Sequence, residues 1–196
     1  MKKIILTVAA VFAFGFANAQ DKKESSEGFS KGDVFVTGAF TVSSAKTGDA
    51  KDNTFEFEPR VAFFVTENIA LGAKVGFGSD KESTGSVTTK DMSSFKGGVF
   101  GRYYFTPASK FSLFANLGLD FSNMKNKLSS GKNNEMTFGL GAGMNYHLSN
   151  HFSLETMVGV LSFNSNDNGG NGATKTNTFN FGGDWRAVSF GVNYKF

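Results

Sequence analysis

The chain has 196 residues, a length that suits one domain. Its 20 Lys and Arg face 17 Asp and Glu, and residues 1–19 carry Lys2 and Lys3, so the remainder is close to neutral. That balance offers no basic patch for nucleic acid, and the absence of cysteine excludes both a disulfide framework and a lipid-anchored lipoprotein.

Met1-Lys2-Lys3 is a cationic start, residues 4–16 are an apolar run, and Ala17-Asn18-Ala19 is a small-x-small site. Together they predict a secretory signal cleaved before Gln20. The run is shorter than the roughly 20 residues a helix needs to span a bilayer. Residues 20–31 (QDKKESSEGFSK) are polar and aperiodic, and read as a flexible periplasmic leader; residues 32–196 read as the folded domain.

From there apolar and polar residues alternate with period two, and no helical stripe interrupts them. Eight segments follow. Segment 33–43 sets Val34, Val36, Phe40 and Val42 on one face. Segment 54–65 sets Phe55, Phe57, Val61, Phe63 and Val65 against Glu56, Glu58 and Arg60. Segment 68–79 sets Ile69, Leu71, Ala73, Val75 and Phe77 against Gly72, Lys74 and Gly76. In 94–106, Phe95, Val99, Tyr103 and Phe105 oppose Gly98, Arg102 and Tyr104. In 110–123, Phe111, Leu113, Leu117, Leu119 and Phe121 oppose Ser112, Asn116 and Asp120. Segment 135–148 opposes Met136, Phe138, Leu140, Met144 and Tyr146 to a row of glycines. Segment 151–164 opposes Phe152, Leu154, Val158 and Val160 to Ser153, Glu155 and Gly159. The last, 184–196, sets Val188, Phe190, Val192, Tyr194 and Phe196 against Ser189, Gly191 and Asn193.

Such runs exceed the five or six residues of an ordinary soluble strand and match a tilted membrane strand. The connections alternate in length. Residues 66–67, 107–109 and 149–150 are tight turns, whereas 44–53, 80–93, 124–134 and 165–183 are long polar links. This asymmetry is that of outer-membrane barrels, and it places the tight turns and both termini in the periplasm and four loops outside. An open edge in hydrocarbon leaves backbone groups unpaired, so the sheet must close. The expected fold is all-β: an eight-stranded antiparallel up-and-down transmembrane β-barrel.

A soluble, lipocalin-like barrel would turn the apolar face inward; a membrane barrel turns it to lipid. Glycine phase favours the second. Gly72, Gly76, Gly98, Gly139, Gly141 and Gly191 share the charged face, where small residues suit a crowded interior and would only weaken a solvent face. Aromatics gather near the tight turns (Tyr103, Phe105, Phe111, Tyr146, Phe152, Tyr194 and Phe196), as an interfacial girdle requires.

The stretch Phe190-Gly191-Val192-Asn193-Tyr194-Lys195-Phe196 resembles the last-strand assembly signal of outer-membrane proteins, and residues 58–72 resemble the second hairpin of the small OmpA/OmpX-like barrels. The resemblance spans roughly residues 32–196. It implies outer-membrane localisation and insertion by the barrel-assembly machinery, with a barrel that lacks the peptidoglycan-binding domain of OmpA-type proteins.

Seven charges are assigned to the lumen: Glu56, Glu58, Arg60, Lys74, Arg102, Asp120 and Glu155. With a turn near Glu67, Arg60 and Lys74 stand opposite each other and need anions nearby. Two readings follow: a salt-bridge plug in an interior just wide enough for side chains, or a narrow porin-like diffusion channel. His147 and His151 flank one tight turn, but two ligands fall short of the four a structural zinc takes. A lipid-modifying enzyme would need a base near the outer surface, whereas both histidines fall at the periplasmic end. Residues 164–169 imitate the start of a calcium loop, but Lys175 stands where a bidentate Glu is required. No cofactor, metal or catalytic group is expected. The chain reads as a monomer surrounded by outer-membrane lipid, with a structural or surface-interaction role carried by its four loops.

Overall fold

Alternation at period two gives strands here, because β-branched and aromatic residues occupy one face while Gly, Ser or Asn fills the other. The computed structural model describes residues 28–129, 131–169, 172–182 and 188–196; the signal segment and the leader up to residue 27 lie outside the described residues. Nine strands form among them: β1 (Val34–Thr47), β2 (Ala50–Phe64), β3 (Ile69–Thr84), β4 (Val87–Tyr104), β5 (Phe111–Asn126), β6 (Lys132–His147), β7 (Phe152–Asn166), β8 (Thr176–Phe181) and β9 (Ser189–Lys195). Each of the first seven pairs antiparallel with the next. β9 pairs with both β7 and β1 and closes the ring. β8 and β9 lie along the same edge of β7 at different heights, so they are two pieces of one eighth stave. The wall is a closed, eight-stave, up-and-down antiparallel barrel.

The tight turns fall where expected, with strand ends there shifted by only a residue or two. The other end differs. Residues 44–53, 80–93 and 124–134 are not loops but largely continuations of the ladders. β1 and β2 pair as far as Thr47↔Ala50, and β3 and β4 as far as Thr84↔Val87. Beyond the apolar band the backbone still needs partners, and Ser, Thr, Asn and Lys satisfy the pleat without a buried face. Reversal is left to short turns in which Gly48 and Gly85 take φ of 59° and 58°, where a Cβ is disfavoured.

The eighth stave also differs from the continuous 184–196 segment. β8 lies inside the expected 165–183 loop, β9 starts at Ser189, and residues 183–187 are outside the described residues. In β7, Leu161 pairs with Leu140 but Gly159 with Gly141, so Val160 is an extra residue. This bulge inverts the alternation above it. Leu161 and Phe163 pair with the outward Leu140 and Phe138, and take the row that unbroken periodicity gives to Val160 and Ser162.

At the hairpin tips Asp167 fastens the β7–β8 turn to β6. Its carboxylate accepts the backbone N–H of Asn134 at 2.8 Å, the Asn134 amide at 2.7 Å and the N–H of Gly169 at 3.1 Å. The Asn134 backbone bond foremost holds its pKa below the usual 3.8. A carboxyl lowered in the folded state adds stability that is complete above its ordinary pKa and is lost as pH falls through the lowered value. The clasp is therefore expected to hold fully above pH 3.8 and to weaken progressively below it. Amide exchange at Asn134, followed down through that range, should show a step that Asp167→Asn lacks.

Candidate functional site in the barrel lumen

The burial pattern is inverted relative to a soluble protein. On the outward face Leu71 is 53 % exposed, Val99 58 % and Phe121 59 %, while Arg102 and Glu155 inside are 2 % and 3 % exposed. Apolar residues out and charges in is the arrangement that hydrocarbon demands.

Register carries the inner charges to one another. Arg60 of β2 stands opposite Lys74 of β3, and Arg102 of β4 opposite Asn116 of β5. Glu155 of β7 reaches across the lumen to both arginines. It accepts from Arg102 Nη1 at 2.8 Å and Nη2 at 3.1 Å, and from Arg60 Nη1 at 2.8 Å. Arg60 Nε donates to Glu58 at 2.7 Å, and Arg102 Nε to Asn116 at 3.1 Å. Lys74 lies 2.9 Å from Asp120 and 3.7 Å from Glu58. Glu56 pairs higher up with Lys96 at 2.7 Å. Glu56, Glu58, Asp120 and Glu155 are thus matched by Arg60, Lys74, Lys96 and Arg102, and the network is neutral as a set.

Lys96, absent from the seven charges expected in the lumen, shares the inner phase of Gly98 and Arg102 and is reached by the same alternation. The Arg102 guanidinium lies between the rings of Phe100 and Phe114, 5.0 and 4.4 Å from their centroids. Phe100 in turn lies over Gly72, where even a methyl group would meet the ring. That contact sets the level of the arginine.

Below the charges, an aromatic layer fills the short-turn end. It is built from Phe35, Phe64, Tyr104 and Phe114, all buried. Its centre is Phe29, from the stretch expected to be a flexible leader. That ring is buried and lies 4.8–5.4 Å from the rings of Phe35, Phe64 and Tyr104. Residues 28–33 form a strap across the mouth: Phe29 N–H donates to Pro107 O at 2.8 Å, and Gly32 N–H to Phe64 O at 2.8 Å. Lys195 Nζ donates to Gly28 O. Nothing in the aperiodic leader marks Phe29 except that it is the one aromatic there.

Between charge layer and hairpins an open cup of about 240 Å³ remains, lined by residues including Glu56, Lys96, Asp120 and Glu135. Neither histidine lines it. The His147 ring meets Phe29 edge-on at 4.7 Å, and His151 Nδ1 lies 2.8 Å from Lys195 O at the short-turn end. Asp52, Asp80 and Glu82 gather on the hairpins, but Lys90 already serves two of them, at 2.8 Å from both Asp80 and Glu82. Those bonds, to Asp80 first, hold the Lys90 ammonium above its ordinary range. The girdle residues Tyr103, Phe105 and Tyr146 are exposed on the outer wall, as is Phe190; Tyr194 packs edge-on against Phe152 and Phe196.

Comparison with known proteins agrees with this geometry. OprG from Pseudomonas aeruginosa shares 16 % identity and a TM-score of 0.53, over 87 % of this chain and 99 % of that one. Neisserial surface protein A shares 16 % identity and a TM-score of 0.50, over 83 % and 97 %. At such identity the likeness speaks for fold alone. No curated protein matches by sequence. The model of the outer membrane protein beta-barrel domain matches residues 6–196, and the chain belongs to that family, whose place is the bacterial outer membrane.

Proposed function

We propose that this protein is an integral outer-membrane barrel with a structural or surface-interaction role, a closed wall that carries four stiff hairpins away from the cell. The observation that supports this most is the double filling of the lumen: a neutral salt-bridge layer stacked on an aromatic layer, with Phe29 at its centre. A wall filled twice leaves the outward hairpins as the part that meets other molecules. Tight turns and strap then face the periplasm, after export on the N-terminal signal and insertion by the barrel-assembly machinery through the Phe196 end. No catalytic role is proposed for the histidines, which are engaged in packing at the end away from the hairpins.

A narrow diffusion channel is the second reading, favoured by the cup that reaches down to the charge layer. Single-channel recording of wild type and Arg60→Ala separates the two. The closed barrel predicts silent bilayers for wild type. A stable wild-type conductance that changes with Arg60→Ala would replace it with the channel.

A further inference from the structure

On its inward face the chain pairs its cations: Arg60, Lys74, Lys90, Lys96 and Arg102 each have a carboxylate partner. On the outward face Lys127 has Asp91, but among the described residues five other lysines have no such partner. There, strands leave the apolar band by the same two steps. Phe55, Phe77 and Phe121 are followed one outward position higher by Asn53, Ser79 and Asn123. One position higher again stand Lys51, Lys81 and Lys125, joined at that level by Lys46 and Lys132.

All five lysines are exposed, and among the described residues none has a carboxylate within ion-pair distance. Two pairs are direct cross-strand partners: Lys46↔Lys51 and Lys125↔Lys132. Like charges so placed destabilise a ladder. Lys81 does face Asp91, but that carboxylate is held by Lys127 at 3.1 Å. Two outward steps along a tilted strand raise the belt by about 10 Å above the last apolar ring. At that height an extended lysine can bring its ammonium to the headgroup layer.

We propose that Lys46, Lys51, Lys81, Lys125 and Lys132 form a cationic belt that binds the phosphates of outer-leaflet lipid headgroups. Anionic headgroups turn the cross-strand repulsion into a shared attraction. That explains why like charges stand opposite each other at one height outside, and in the lumen only with carboxylates between them.

The test places the full chain in phosphatidylcholine bilayers alone, with bisphosphorylated lipid A, or with lipid A stripped of its phosphates, and reads the urea midpoint of the heat-modifiable gel band. Wild type should gain stability from lipid A only, and the gain should fade at high salt. The variant Lys46→Gln/Lys51→Gln/Lys125→Gln/Lys132→Gln should be at least as stable as wild type in phosphatidylcholine, since repulsion is gone, yet gain little from lipid A. Affinity should fall about five-fold for each lysine removed. Equal gains by variant and wild type, or from stripped lipid, would overturn the belt. An equal gain from inorganic phosphate at matched concentration would overturn the lipid as its partner. The readout depends on lipid contact and not on which way the barrel faces in the cell.

Discussion

Replacing Glu155 with alanine is expected to cost more than any other single change in the lumen's charge layer. The carboxylate lies between two guanidiniums, at 2.8 Å from both Arg60 and Arg102, and is buried. Its removal leaves Arg102 held between two rings with only Asn116 and Tyr104 as neutral partners. Breaking a buried pair on one side costs about 3–5 kcal/mol, because the other charge stays buried without compensation. The folded, heat-modifiable band should be lost at a much lower urea concentration, or fail to form. Replacing Glu155 and Arg102 together with methionine should recover a large part of the loss, since an apolar pair of similar volume carries no desolvation penalty. If Glu155→Ala unfolds within about 1 kcal/mol of wild type, the network is not what holds the lumen.

The second large effect is expected at Phe29. A ring buried among Phe35, Phe64, Tyr104 and His147 leaves a void when truncated, and Phe→Ala in a packed core costs about 3–5 kcal/mol. Phe29→Ala should lower the same urea midpoint, and Phe29→Leu should lower it far less. Deleting residues 20–31 should cost about as much as Phe29→Ala if the ring is the strap's main anchor. A deletion without effect on the midpoint would mean that the strap contributes nothing to the barrel's stability.

The two predictions sit at opposite ends of what can be read from the chain. Glu155, Arg102 and Arg60 are legible as one inner group, because side chains in a strand alternate strictly and tight turns set which rungs face each other. Their distances are not, since depth around the barrel depends on shear, which no single strand encodes. Phe29 belongs to no strand and has no period, so only the finished mouth gives its ring a place. The bulge at Val160 is hidden for a similar reason: an extra residue keeps the composition and changes only the phase.

By itself the sequence determined the strands, their two faces, the closed wall and the position of its tight turns, because hydrophobic alternation and turn length act locally. Tertiary structure alone decided how far the hairpins extend, how the eighth stave is divided, and that residues 28–33 cross the mouth. Those outcomes turn on which backbone groups find a partner and which ring finds a cavity, and both are properties of the closed barrel rather than of any segment in it.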